Sequence, residues 1–254
     1  MKNILLTSKA VYISILSTGL IVTSFILVKQ DALALDNPSE AWKLSQGGKI
    51  YDNWAKALNV TAPDKTHPSY PSAGKKQGAT TWRCKECHGW DYNGRDGAYK
   101  SGSHFSGVKG IRNTSGKAVN IIKKIIRNKT HGYSKTMIND DGLDNLALFV
   151  SRGQLDMSKY IDVNSKKVKG SVQRGAQFFQ TICAVCHGYD GKKINFHESR
   201  KIPEYVGTVA NKNPWEVLHK IRNGQPNAAM ISLRTLNTQD QVDIVAFTRT
   251  LPTR

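Results

Sequence analysis

Two stretches of this 254-residue chain carry the same five-residue pattern, Cys84-Lys85-Glu86-Cys87-His88 and Cys183-Ala184-Val185-Cys186-His187, and together they use all four cysteines. Each continues as glycine, aromatic residue, aspartate: Gly89-Trp90-Asp91 and Gly188-Tyr189-Asp190. The likeness extends downstream. Ile126-Arg127-Asn128 matches Ile221-Arg222-Asn223, and Leu146-Ala147-Leu148-Phe149 matches Val245-Ala246-Phe247. Self-similarity at this distance marks a duplicated unit, so whatever the first motif builds the second is expected to build again.

The halves differ in front of the motif. Gly175-Ala176-Gln177-Phe178-Phe179 runs almost directly into Cys183, whereas Gly48-Lys49-Ile50-Tyr51 is parted from Cys84 by an insert, residues 59–78, holding Pro63, Pro68, Pro71 and Gly74. Such punctuation reads as an ordered surface loop or a partner contact. Helical apolar spacing covers Val119 to Arg127 and Trp215 to Ile221, while Leu143 to Val150 and Val242 to Leu251 read as closing helices. Asn139-Asp140-Asp141 and Asn237-Thr238 supply their N-caps. No stretch alternates with the period of a strand. The expected organisation is a leader over residues 1–34, a first domain over 45–155, a lysine-rich linker over 156–170 and a second domain over 171–254.

The leader has Lys2 and Lys9 ahead of an apolar run from Ala10 to Val28, then Ala32-Leu33-Ala34, a small-x-small site of the kind a signal peptidase reads. Export to the periplasm with cleavage after Ala34 is the favoured reading. Retention is the other, because the run is about as long as a bilayer core demands, and it would leave the protein membrane-associated. Cleavage removes Lys2, Lys9, Lys29 and Asp31, a net loss of two from a formal charge of +18. The remaining basic surface suits redox proteins with acidic docking faces. Export argues against nucleic acid as a partner. Lys123, Lys124, Arg127 and Lys129 could rim a docking face, and a solvated helix face explains them equally well.

Four exported cysteines could form two disulfides, and paired Cys-x-x-Cys could bind zinc, but neither requires a histidine after each pair. Covalent haem c does. Two thiols add to the porphyrin vinyl groups, and the adjacent histidine is placed to bind iron. The residues thus predict two haem c groups, attached through Cys84 and Cys87 and through Cys183 and Cys186, with His88 and His187 as proximal ligands.

On these motifs the chain, from about Gly47 to Pro252, resembles the class I cytochrome c family, and more closely the diheme cytochromes with two such domains in tandem. The resemblance implies an all-α fold of two small helical domains, each wrapped around one covalent haem. It also implies a distal methionine before the closing helix and a proline carbonyl for the proximal imidazole. In the second half Met230 and Pro203 match those positions. The first half has no such proline, and its loop from Asn128 to Ile138 is three residues shorter than Asn223 to Leu236. Counting back from the closing helix favours His131 as the first distal ligand, with Met137 as the alternative and a vacant site as the third reading. His67, His104, His197 and His219 need no special role on sequence grounds.

The function this implies is single-electron transfer between redox partners, or service as the cytochrome subunit of an oxidoreductase. The alternative is a diheme enzyme, peroxidase-like or thiosulfate dehydrogenase-like, with substrate at the first haem. No carboxylate pair, nucleophile triad or phosphate loop is present.

Overall fold

The computed structural model describes residues 38–197 and 202–254. The leader lies outside the described residues, among which no helix is long and apolar enough to cross a membrane. Residues Ala41–Arg254 form one compact unit; of the unit before it, Met1–Glu40, only residues 38–40 are described.

Helix α1, Glu40–Leu58, breaks its regular dihedrals at Asn53 and buries Gly47, Gly48, Ile50, Tyr51, Asp52 and Trp54. The short α2, Cys84–His88, carries the first motif. Next come α3, Val119–Arg127, and α4, Asp140–Leu148, which runs into a π turn over Phe149–Gly153. The second half has a related order with one more helix and its π turn moved to the front: α5, Val172–Phe178, with its π turn Phe179–Cys183; α6, Ala184–His187; α7, Val206–Lys212; α8, Pro214–Asn223; and α9, Thr238–Thr248. Among the described residues extended pairing is limited to two isolated bridges, Gly94 with Lys109 and Ile161 with Val168.

Glycine lets the first and closing helices of each half approach. A Cβ on Gly47 would collide with the Asn145 carbonyl and Phe149, and one on Gly175 with the Asp243 carbonyl and Phe247. The closing helices start alike. Asn139 Oδ1 accepts the Gly142 N–H at 2.9 Å and Asn237 Oδ1 the Asp240 N–H at 2.9 Å, satisfying donors that a helix start leaves unpaired.

One apolar core draws on both halves, from Ile50, Trp54, Trp90 and Phe149 to Leu218, Val242 and Ile244. A smaller cluster joins Phe179, Ala184, Val206 and Leu251. The lysine-rich stretch 156–170 sends Met157 and Ile161 into the main core and is tied to α9 through Arg249, which donates to the Lys166 carbonyl at 2.5 Å.

Candidate functional site

In α2, Cys84 and Cys87 lie three residues apart, so their thiols share one side of the turn while His88 follows at its end. Gly89 then turns the chain with φ of 79°, and the Gly94 N–H returns to the His88 carbonyl at 2.8 Å. The second motif repeats this. Gly188 has φ of 78°, the Lys193 N–H reaches the His187 carbonyl at 2.9 Å, and Asp91 and Asp190 accept the Asn93 and Lys192 N–H groups. A left-handed residue straight after the histidine is why glycine stands there twice.

The His88 ring donates from Nδ1 to the Lys109 carbonyl at 2.9 Å, which leaves Nε2 unprotonated and free to bind a metal. Burial pushes this imidazole down to about 4, so it is neutral at ordinary pH. Facing it is His131, with ring centroids 6.3 Å apart and planes 29° from parallel. Asn128 folds the loop that presents His131. Its Oδ1 accepts the Thr130 and His131 N–H groups at 3.0 and 3.1 Å and lies 3.4 Å from His131 Nδ1. Burial lowers the pKa of His131 as well. Both imidazoles are held neutral and His88 keeps Nε2 free, so His88 and His131 have the donor chemistry that would suit an iron. Met137 is turned back into its own loop, where its sulfur receives the Ser134 N–H at 3.5 Å.

The surroundings of this motif are unusual. Lys85 and Glu86, the residues between the two cysteines, are only 5 % and 2 % exposed. Lys85 pairs with Glu86 and sits over the Trp90 ring, while His104, stacked on Tyr99, lies 3.4 Å from the Glu86 carboxylate. Burial alone would raise the pKa of Glu86, but His104, Lys85 and Arg83 outweigh it and hold the group at about 2. Asp52, also buried, is held at about 2 against its own desolvation by Lys220, at 2.7 Å, and Arg83.

The second motif is more open. Val185 is 70 % exposed, and Cys186 is exposed too. The His187 ring meets Phe196 edge-on at 6.0 Å. Its Nδ1 is buried without a hydrogen-bond partner among the described residues, so the expected bond to the Pro203 carbonyl is not formed. Met230 is half-buried on the loop between α8 and α9, which the Ser232 hydroxyl and Leu233 N–H pin to the Arg222 and Ile221 carbonyls at 2.5 and 2.9 Å.

Sequence reasoning passed over two histidines. His219 is fully buried, accepts the Tyr92 O–H at Nδ1 (2.8 Å), and donates from Nε2 to the Gly48 carbonyl (2.9 Å). It thereby joins the two halves. His67, in the insert, reaches the His131 carbonyl at 2.9 Å. Nothing in a local pattern announces these contacts, because the Gly48, Tyr92 and His131 groups involved lie far along the chain. The basic cluster on α3 is partly internal: Arg127 donates to the Tyr133, Ser134 and Ile138 carbonyls, and Lys123 pairs with Asp144.

No disulfide joins the cysteines, and burial pushes the Cys84 and Cys87 thiols up to about 12 and Cys183 to about 11. Among the described residues no three or more His, Cys, Asp or Glu side chains converge as a zinc site would require. Residues 172–252 match the cytochrome c family model, and no curated protein matches the chain. Residues 172–252 thus carry a cytochrome c domain, which implies covalent haem c and haem-based electron transfer there.

Proposed function

We propose that the protein is an exported diheme c-type cytochrome of the periplasm, passing single electrons between redox partners or serving as the cytochrome subunit of an oxidoreductase. The observation that supports the diheme reading is the neighbouring pair of imidazoles, His88 and His131, which lie outside the matched residues. The shared turns after each motif and the shared glycine crossings support it.

Bound haem supplies the one-electron chemistry. The chain's part is to hold it: Cys84 and Cys87, then Cys183 and Cys186, as thioether anchors; His88 with His131, then His187 with Met230, as ligand pairs. His131 sets a lower potential at the first site than the Met230 thioether sets at the second, because thioether ligation favours ferrous iron. Electrons then run downhill from first to second. The basic surface steers acidic partners to the protein.

The test is a near-infrared spectrum of the ferric holoprotein, with the haem content measured by mass. The expected result is two covalent haems, one bis-histidine and one histidine–methionine signature. His131→Ala should convert the first to high spin, Met137→Ala should not, and Met230→Ala should abolish the second signature alone. A single haem, or a bis-histidine signal that survives His131→Ala, would overturn the assignment.

A further inference from the structure

The loop that presents His131 has little to hold it from within. Lys129, Thr130 and Gly132 are exposed, and no side chain between Asn128 and Tyr133 is buried in the core. Its N–H groups are tied by Asn128. Its carbonyls are tied from elsewhere. His67 donates to the His131 carbonyl at 2.9 Å and the Ser69 hydroxyl to the Thr130 carbonyl at 2.7 Å. The Ser69 N–H in turn donates to His67 Nδ1 at 3.0 Å, which requires the proton to reside on Nε2, the nitrogen that meets the carbonyl.

Both residues belong to the insert 59–78, and the insert is anchored at the other side of the same site. The Trp82 indole donates to the Lys65 carbonyl at 2.8 Å and the His67 N–H to the Thr81 hydroxyl at 2.8 Å, while the Gly78 N–H closes the insert on its own Thr66 hydroxyl at 2.9 Å. The His67 ring packs on Trp82 at 4.2 Å. Trp82 stands two residues before Cys84. The insert therefore bridges the approach to the first cysteine and the loop opposite His88, a connection the second half lacks because Gly175 leads almost directly into Cys183.

From this bridging we infer that the insert is a strap that holds the distal histidine in place, with His67 and Ser69 as its positioning residues, so that the first site stays closed to outside ligands. The inference rests on the reading of His131 as an iron ligand. Its test uses ferric holoprotein carrying His67→Phe, which keeps a ring against Trp82 but cannot donate, Ser69→Ala, the pair together, and His67→Gln, which keeps an N–H donor. Cyanide is the probe.

Each of the first three variants should admit cyanide to the first haem about tenfold faster than wild type or more, the scale on which supporting hydrogen bonds act at metal sites. A partial high-spin signal should accompany this. His67→Gln should return toward the wild-type rate, and the histidine–methionine signal of the second haem should stay unchanged in all four, reporting an intact fold. Wild-type cyanide kinetics and an undiminished bis-histidine signal in the double variant would overturn the strap while leaving the ligand assignment standing. Survival of that signal in His131→Ala would remove the ligand assignment and the strap with it.

Discussion

At the scale of single residues, His219 shows how far burial can move a group. Burial pushes it down to about 3, aided by Lys220 and Arg234 and opposed by Asp52 and the Gly48 carbonyl. In the unfolded chain it protonates near the ordinary 6.5, so below that pH the unfolded state binds the extra proton. Stability is therefore expected to fall as pH drops from about 6.5 toward 3, by at most about 1.4 kcal/mol per pH unit from this group. Asp52 and Glu86, both held at about 2, add acid sensitivity as the pH falls through the ordinary carboxylate range, about 4, toward 2. His219→Gln should cost about 1–3 kcal/mol at pH 7 through broken buried bonds. Its denaturation midpoint should then decline less steeply than wild type between pH 6 and 4. That the two Cys-x-x-Cys-His stretches would form like turns was legible from their spacing alone. The carbonyl that orients His88 was not, since Lys109 contributes its backbone, and a carbonyl has no residue type for a pattern to detect.

At the scale of elements, the sequence was most readable where polar and apolar residues alternate at a helical period. The expected helix over Val119 to Arg127 matches α3 residue for residue, and Asn139 and Asn237 cap the closing helices as their positions suggested. Their ends were harder to read: Leu143 to Val150 becomes Asp140–Leu148 plus a π turn, because the cap sets the start and tight packing of Phe149 reshapes the finish. Asn139→Ala and Asn237→Ala should each lower stability by about 1 kcal/mol in chemical denaturation. Gly175→Ala sets two effects against each other. Alanine gains about 0.5–1 kcal/mol of helix propensity, but its methyl meets the Asp243 carbonyl and Phe247, and overpacking of this kind costs about 1–3 kcal/mol. The collision should win, read as a lowered thermal midpoint.

At the scale of the whole molecule, a duplicated pattern coexists with a shared core. Tyr51, Trp90, Tyr92 and Phe149 of the first half ring His219 of the second, with centroids 4.9 to 6.0 Å away. Asp52 joins Arg83, beside the first motif, to Lys220 on α8. The expectation is one cooperative unfolding transition for both halves, with near- and far-ultraviolet circular dichroism melting together. Two separated transitions would show that these contacts contribute little.

The burial of Lys85 and Glu86 also bears on timing. Once Trp90, Tyr99 and His104 have closed over them, the stretch between Cys84 and Cys87 is out of reach of any other protein, whereas Val185 still projects into solvent between Cys183 and Cys186. On the diheme reading, machinery joining a porphyrin to the first cysteine pair would have to act before Trp90, Tyr99 and His104 close over Lys85 and Glu86, so attachment at that site would precede folding.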